Sequence, residues 1–98
     1  MDVFFLYRHQ DFVWDSRKAT ENRAKHAIGF EAACEVFFDD LSVYVDATAD
    51  EERRTAVIGL GEATGVLYVV HVEREGEVVR IISARPATKR ERKTYEDG

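Results

Sequence analysis

Basic side chains gather in the last quarter of the chain, where a predicted strand gives way to a short helix. Residues 80–93 contain six lysines and arginines and one acid, Glu91, a local charge of +5 in a chain of net charge −5. Cations at a helix N-terminus, where backbone N–H groups lack partners, suit a ligand that carries phosphate. The alternative is a solvated, basic helix end. The candidate phosphate contacts here are Arg80, Arg85, Lys89 and Arg90.

A second polar group lies on a predicted helix over residues 16–26. Lys18, Asn22 and Lys25 have i, i+4, i+7 spacing and therefore share one face, with His26 beside them. A helix with so few apolar residues needs a reason to form other than core packing. Either this face binds a ligand, or the helix is solvated and Asn22 and His26 bond to nearby backbone. In the first case the row offers two cations, an amide and an imidazole that can exchange a proton.

The composition limits the class of protein. The chain has 98 residues, 45% hydrophobic and 34% charged, which predicts one globular domain over residues 1–98. A net charge of −5 argues against nucleic-acid binding by the field of the whole protein, so any such role needs a local patch. The one cysteine, Cys34, excludes an intramolecular disulfide and is compatible with a cytoplasmic location. No apolar run reaches the roughly 20 residues of a membrane span.

The sequence motifs of several common chemistries are missing. We find no G-x-G-x-x-G, no Walker loop and no pair of Cys or His at zinc-binding spacing, and the 3 histidines lie far apart. We therefore expect neither a metal nor a cofactor.

The candidate side chains depend on an α+β arrangement for their positions. Apolar spacing predicts a second helix over residues 30–38 with Cys34 on its core face, and a capping box of Thr88 and Glu91 predicts a third helix from Lys89. Strands are predicted at 42–46, 53–60, 66–73 and 78–85, and short strands are possible at 3–7 and 12–14. The expected fold is two N-terminal helices and a C-terminal helix on a four-stranded antiparallel sheet. A last hairpin loop of two or four residues would pair His71 with Arg80 on one face.

Several of these segments together resemble the BrnT family of toxins, within the broader RelE-like ribonuclease group. The similarity spans Phe12 to Tyr95, and the block from Arg80 to Arg85 is its most specific part. The sequence departs from the family at Ala27, where glycine is common, and in a longer N-terminal lead, an extension over residues 1–11. The other segments that carry the resemblance are Phe12 to Asp15 with Lys18, Asn22, Lys25 and His26, then Phe30 to Ala33 with Val36 and Phe37, Glu52 and Arg53, Ala87 and Thr88, and Glu91, Arg92 and Tyr95.

The resemblance implies a metal-independent endoribonuclease that inhibits translation in bacteria. It also implies a cognate DNA-binding antitoxin, BrnA-like, that neutralises the toxin, with operator DNA bound only through the complex. Without a metal the RNA 2′-hydroxyl must be the nucleophile, so the protein supplies proton carriers and cations. On this hypothesis the catalytic residues are Lys25, His26, Glu52, Arg53, His71 and Arg80, and the RNA-binding residues are Lys18, Arg85, Lys89 and Arg90.

The catalytic hypothesis requires Lys25, Arg53 and Arg80 to converge on one phosphodiester. An alternative from another class is a non-catalytic module that binds RNA or its partner through the basic patch, within a transcriptional autoregulatory complex. In either case the net charge of −5 predicts that the isolated chain binds operator DNA poorly.

Overall fold

The computed structural model describes residues 1–49, 53–73 and 75–98, with Glu75 described by its backbone alone. Across these residues no helix is long and apolar enough to cross a membrane. The strands of the described residues are β1 (Asp2–Tyr7), β2 (Gln10–Asp15), β3 (Val43–Asp46), β4 (Thr55–Gly61), β5 (Gly65–Glu73) and β6 (Val79–Pro86). The helices are α1 (Ser16–His26), α2 (Phe30–Ala33) and α3 (Lys89–Asp97), and 3₁₀ segments cover Cys34–Phe38 and Glu75–Glu77.

The strands form one mixed sheet in the order β1-β2-β6-β5-β4-β3. Neighbouring strands are antiparallel except β2 and β6, which run parallel. The α+β class is therefore confirmed, but the prediction of a four-stranded antiparallel sheet is wrong, because β1 and β2 form a hairpin that extends it. The strand β1 has apolar residues on both faces, including Phe4, which is 76% exposed, and Leu6, which is 67% exposed. Its sequence therefore lacks the alternation of apolar and polar residues that would mark a strand with one buried face. The turn between β1 and β2 has positive φ angles, 49° at Arg8 and 70° at His9. Gly or Asn usually marks such a turn in a sequence, and neither is present here.

The second predicted helix is also different from the prediction. Only α2 is α-helical, and the chain then tightens into the 3₁₀ segment Cys34–Phe38, so two full N-terminal helices do not form. This segment packs closely on β4. A Cβ atom at Gly59 would lie 2.7 Å from the carbonyl oxygen of Val36, so only glycine allows this approach. Packing against the sheet therefore favours a 3₁₀ segment, although the spacing of the apolar residues predicts an α-helix.

The two sides of the sheet differ in what covers them. On the core face, Phe30, Cys34 and Val36 from α2 and the 3₁₀ segment are at most 1% exposed and join one apolar cluster with Phe12 and Trp14. Burial raises the pKa of the Cys34 thiol to about 12, as expected for an inert core cysteine.

The other side of the sheet is covered only in part. The helix α3 packs against β4 there, beginning beside Arg85 and ending with Gly98 next to Val43. The uncovered, half-buried part of this side is called the open face, and its residues on β5 and β6 are Tyr68, Val70, Val72, Arg80, Ser83 and Arg85.

An irregularity in the pairing of β5 with β6 decides which side chains reach the open face. Val70 pairs with Ser83, but the next residue, His71, pairs with Ile81, so Ile82 is an extra residue in β6. Since side chains alternate along a strand, this bulge resets the alternation. Arg80 therefore shares the open face with Ser83 and Arg85, which regular alternation would separate from it.

The predicted pairing of His71 with Arg80 is wrong. Glu73 pairs with Val79, which leaves an odd number of residues in the connection, and His71 then faces the core while Arg80 faces the open side. His71 is 2% exposed.

The helix α1 is fastened to β6 by a buried amide. Where β2 has ended, Asn22 takes the place of a neighbouring strand: its Oδ1 accepts from the Ala84 N–H at 3.0 Å, and its Nδ2 donates to the Ala84 carbonyl at 2.9 Å. The same Nδ2 also donates to the Ile28 carbonyl at 3.1 Å. These bonds explain how so polar a helix is held in place, because they satisfy backbone groups that would otherwise be buried without partners.

We predict that Asn22→Ala lowers the free energy of unfolding by about 3 kcal/mol, because it leaves buried backbone groups of Ala84 and Ile28 unpaired. Urea unfolding measures the loss. The control is Thr20→Ala, which removes an exposed hydrogen bond to Ser16 within the same helix and should cost less than about 0.5 kcal/mol. A loss below about 1 kcal/mol for Asn22→Ala would show that the amide does not fasten the helix.

Candidate functional site

Three of the predicted site residues surround one depression beside α1. Lys18, Lys25 and His26 line this depression of about 360 Å³, together with Ser83 and the other lining residues Glu21, Asn22 and Ile82. Both lysines are exposed and His26 is half-buried, whereas Asn22 is turned toward β6. Of the row predicted from the sequence, Asn22 thus has a structural role, and two cations and an imidazole remain toward solvent.

The ends of α1 fix the position of these side chains. Asp15 caps the N-terminus by accepting from the Lys18 N–H at 3.2 Å, and the amino group of Met1 also donates to Asp15 at 3.1 Å. At the other end Ala27 adopts the left-handed conformation, with φ of 61°, and its N–H donates to the Arg23 carbonyl at 2.9 Å. This is the position where the resemblance leads one to expect glycine, which takes that conformation without strain. The alanine therefore keeps the helix end that glycine would form.

Arg80 reaches across β2 toward the N-terminal strand. Its Nη1 and Nη2 donate to the two carboxylate oxygens of Asp2 at 3.2 and 2.8 Å. The hydrogen bond from Arg80 lowers the pKa of Asp2, although desolvation opposes the shift. The side chain of Arg80 is 24% exposed, so the guanidinium lies at the surface of the open face. The Asp2 carboxylate binds the guanidinium with two oxygens, as a phosphate group can also do.

Arg85 is held between a carboxylate and an aromatic ring. Its Nη1 and Nη2 donate to Glu91 Oε1 and Oε2 at 2.7 and 2.9 Å, and its guanidinium carbon lies 4.3 Å from the centroid of the Tyr68 ring. The predicted capping box is confirmed, because Glu91 Oε1 also accepts from the Thr88 N–H at 2.9 Å and Thr88 Oγ1 accepts from the Glu91 N–H. The start of α3 is thereby joined to β6. The hydrogen bond from Arg85 lowers the pKa of Glu91 against the effect of burial.

The remaining predicted residues lie elsewhere. Lys89 and Arg90 border a second depression of about 690 Å³ on α3, with Arg92, Lys93 and Glu96. His71 is in the core, edge-on to the rings of Phe37 and Tyr44, and burial lowers its pKa. Glu52 lies outside the described residues.

The three cations that the catalytic hypothesis required at one point have three different surroundings. Lys25 borders the depression at α1, and Arg80 is paired with Asp2. Arg53 is exposed; the hydrogen bonds from Thr48 lower the carboxyl pKa of Asp46, and the charge of Arg53 adds to that effect. The group that the structure does bring together is Lys18, Lys25 and His26.

Sequence reasoning missed Ser83, Tyr68 and Asp2. Ser83 shares a face with Arg80 only because of the bulge at Ile82, for which the sequence gives no signal. Tyr68 joins the site through its pairing with Arg85 across β5 and β6, and Asp2 joins it only through the unexpected hairpin. Among the described residues no group of three or more His, Cys, Asp and Glu side chains is placed to hold a metal ion.

Fold and site define a small α+β domain with cations arranged beside a half-open sheet face. Residues 14–91 match the family model described as "Ribonuclease toxin, BrnT, of type II toxin-antitoxin system". Because this match covers most of the chain, the protein belongs to the BrnT family of ribonuclease toxins, and the family implies an antitoxin partner.

Comparison with solved structures agrees with this assignment. The fold is similar to the 1.1 Å crystal structure of the Brucella abortus ribonuclease toxin BrnT, with a TM-score of 0.60 and 25% identity over 78% of this chain and 94% of that one. Among curated proteins no sequence matches this chain. The family match begins at Trp14, so all of β1 and most of β2 lie outside it.

The Arg85–Glu91 pair makes stability depend on pH. Because the folded-state pKa of Glu91 is below its ordinary value of 4.5, the pair stabilises the fold above that pH and ceases to do so as pH falls through the lowered pKa. We predict that Glu91→Gln loses less stability than the wild type between neutral and acidic pH, as measured by urea unfolding.

The matched control is Asp97→Asn, which removes the exposed partner of Lys93 at 3.7 Å and should leave the pH dependence unchanged. Parallel stability curves for Glu91→Gln and the wild type would contradict the role of this pair.

Proposed function

We propose that this chain is a metal-independent endoribonuclease that cleaves RNA by attack of the substrate's own 2′-hydroxyl. The observation that carries the proposal is the grouping of Lys18, Lys25 and His26 around one depression, in a member of a ribonuclease toxin family. Two cations and one imidazole are the groups that this reaction needs, since charge develops on the phosphate while a proton leaves the 2′-oxygen.

The reaction uses these groups in a defined order. His26 accepts the proton of the 2′-hydroxyl as that oxygen bonds to the adjacent phosphorus. The bond from phosphorus to the 5′-oxygen breaks, and this leaving oxygen takes a proton from solvent, which gives a 2′,3′-cyclic phosphate and a 5′-hydroxyl. Lys18 and Lys25 stabilise the negative charge of the five-coordinate phosphorus. Ser83, which lines the same depression, offers a hydroxyl to a phosphate oxygen.

Arg80 extends the path of the RNA along the open face. It faces Val72 on β5 while Ser83 faces Val70, so the two sites are one side-chain repeat apart, about 7 Å along the strand. A phosphate next to the scissile one can replace Asp2 as the partner of the Arg80 guanidinium.

The other predicted residues have different proposed roles. Lys89 and Arg90 are proposed as further RNA contacts on α3. Glu52 and Arg53 stay predicted catalytic residues, whereas the burial of His71 favours a structural role.

The biological role follows the family. We propose that RNA cleavage inhibits translation in the cytoplasm and that a cognate, BrnA-like antitoxin neutralises the toxin. Operator DNA would be bound through the antitoxin, since a chain of net charge −5 is repelled by DNA as a whole.

We predict that the wild type cleaves single-stranded RNA in the presence of EDTA and that His26→Ala lowers the rate by about 100-fold or more, the usual contribution of a proton-transferring side chain. Gel electrophoresis of an end-labelled oligonucleotide measures the rate. A substrate with a single 2′-deoxynucleotide at the cleaved position should remain intact, because it lacks the nucleophile.

The control variant is Arg17→Ala, which removes an exposed cation of α1 that is not part of this depression and should cleave at close to the wild-type rate. Cleavage of the 2′-deoxy substrate would contradict the mechanism. RNA that the wild type binds but leaves intact would instead favour the non-catalytic binding module.

A further inference from the structure

The stack of Tyr68, Arg85 and Glu91 on the open face has a geometry that phosphate binding does not explain. We propose that Arg85, supported by Tyr68, is a stacking platform for one nucleobase of a single-stranded RNA substrate. The inference rests on the proposed function, because it assumes that RNA lies on the open face.

The guanidinium is held by three neighbours, one of which is the Pro86 carbonyl oxygen, an acceptor from Nη1 at 3.4 Å. Tyr68 lies beneath it, with 4.3 Å between the guanidinium carbon and the ring centroid. Glu91 holds both Nη atoms at 2.7 and 2.9 Å. Glu91 is itself held by the Thr88 N–H at 2.9 Å, at the first turn of α3. An arginine with so few rotational alternatives presents a rigid flat surface at little further cost in side-chain entropy.

The charge of this group makes it a poor phosphate ligand. The carboxylate of Glu91 neutralises the guanidinium and accepts from both Nη atoms in the geometry that a phosphate would need. Glu91 is also bound by the Thr88 N–H and is 20% exposed, whereas the Asp2 carboxylate on Arg80 is 42% exposed, so a phosphate displaces Asp2 more readily than Glu91. The pair therefore has little to offer an anion, in contrast to Lys18 and Lys25. The flat face of the guanidinium, which these hydrogen bonds in its plane do not use, is available to a ligand of another kind.

The exposed part of Arg85 suits a flat ligand. Its side chain is 33% exposed although one face rests on Tyr68 and both Nη atoms are bound to Glu91, and we infer that the exposed part includes the face away from the ring. Nucleobases of single-stranded RNA stack on arginine planes and aromatic rings, whereas paired bases in a duplex cannot reach them. The substrate class is thus RNA with at least one unstacked, unpaired base.

The position of the platform fits the cleavage site. Arg85 faces Tyr68 on β5, and Ser83 faces Val70, one side-chain repeat of about 7 Å away. A base on Arg85 would therefore belong to a nucleotide close to the phosphate at Lys18 and Lys25. This arrangement would let the platform select which bond is cleaved.

The test is a fluorescence titration with a single-stranded, fully 2′-O-methyl RNA that resists cleavage and carries one 2-aminopurine, moved through successive positions. Stacking quenches 2-aminopurine, so the wild type should quench it at one position more than at the others. Arg85→Lys keeps the charge but has no plane. It should abolish that quenching and weaken binding by about tenfold, since stacking of one base contributes about 1–3 kcal/mol.

Three further variants distinguish a platform from a structural pair. Tyr68→Phe keeps the ring and should quench like the wild type, and Tyr68→Leu should not. Arg17→Lys repeats the substitution at an exposed arginine of α1 and should change nothing. Each variant is titrated only below its unfolding transition, as followed by circular dichroism.

The outcomes separate this inference from the proposed function. Equal quenching by Arg85→Lys and the wild type would overturn the platform. RNA cleaved and bound normally by the wild type, with no position-specific quenching, would overturn the platform and leave the ribonuclease proposal intact. Failure of the wild type to bind single-stranded RNA would overturn both. Binding with position-specific quenching but without cleavage would overturn the ribonuclease proposal and leave the platform intact.

Discussion

One additional residue in a strand determines which side chains this protein can present. A β-strand alternates its side chains with a period of two, so residues five apart in a regular strand face opposite sides. The bulge at Ile82 breaks that rule between β5 and β6. It directs Ile81 and Ala84 into the core, where they are 1% and 0% exposed, and it aligns Arg80, Ser83 and Arg85 on the open face. Bulges commonly redirect side chains in this way beside functional sites.

The second constraint is the amide that joins α1 to the edge of β6. A helix with an apolar stripe would be held by burial, but it would have less surface left for charged groups. Here Asn22 makes three buried hydrogen bonds, and Lys18 and Lys25 stay in solvent around the depression. The helix therefore depends on a few directional contacts, and the same contacts place the cations next to Ser83. In this short helix Asn22 contributes to stability, whereas Lys18 and Lys25 remain available for binding.

Local features of this fold could be predicted from the sequence, and longer-range ones could not. The N-cap at Asp15 and the capping box of Thr88 and Glu91 were predictable because each involves residues three positions apart. The row of Lys18, Lys25 and His26 followed from helical spacing. The bulge at Ile82 and the parallel pairing of β2 with β6 depend on contacts between distant segments, so no local pattern reveals them. For the same reason the sequence did not show that His71 lies in the core. Its imidazole could transfer a proton, but the pairing of β5 with β6 directs it away from the open face.

On the proposed function, RNA lies across the open face and the depression at α1. The most direct measurement is a backbone amide NMR titration of the ¹⁵N-labelled protein with a 2′-O-methyl single-stranded RNA. We expect the amide resonances of His26, Ser83 and Tyr68 to shift together and to saturate at the same RNA concentration. Shifts confined to β1 or to α2, with those three resonances unchanged, would contradict it.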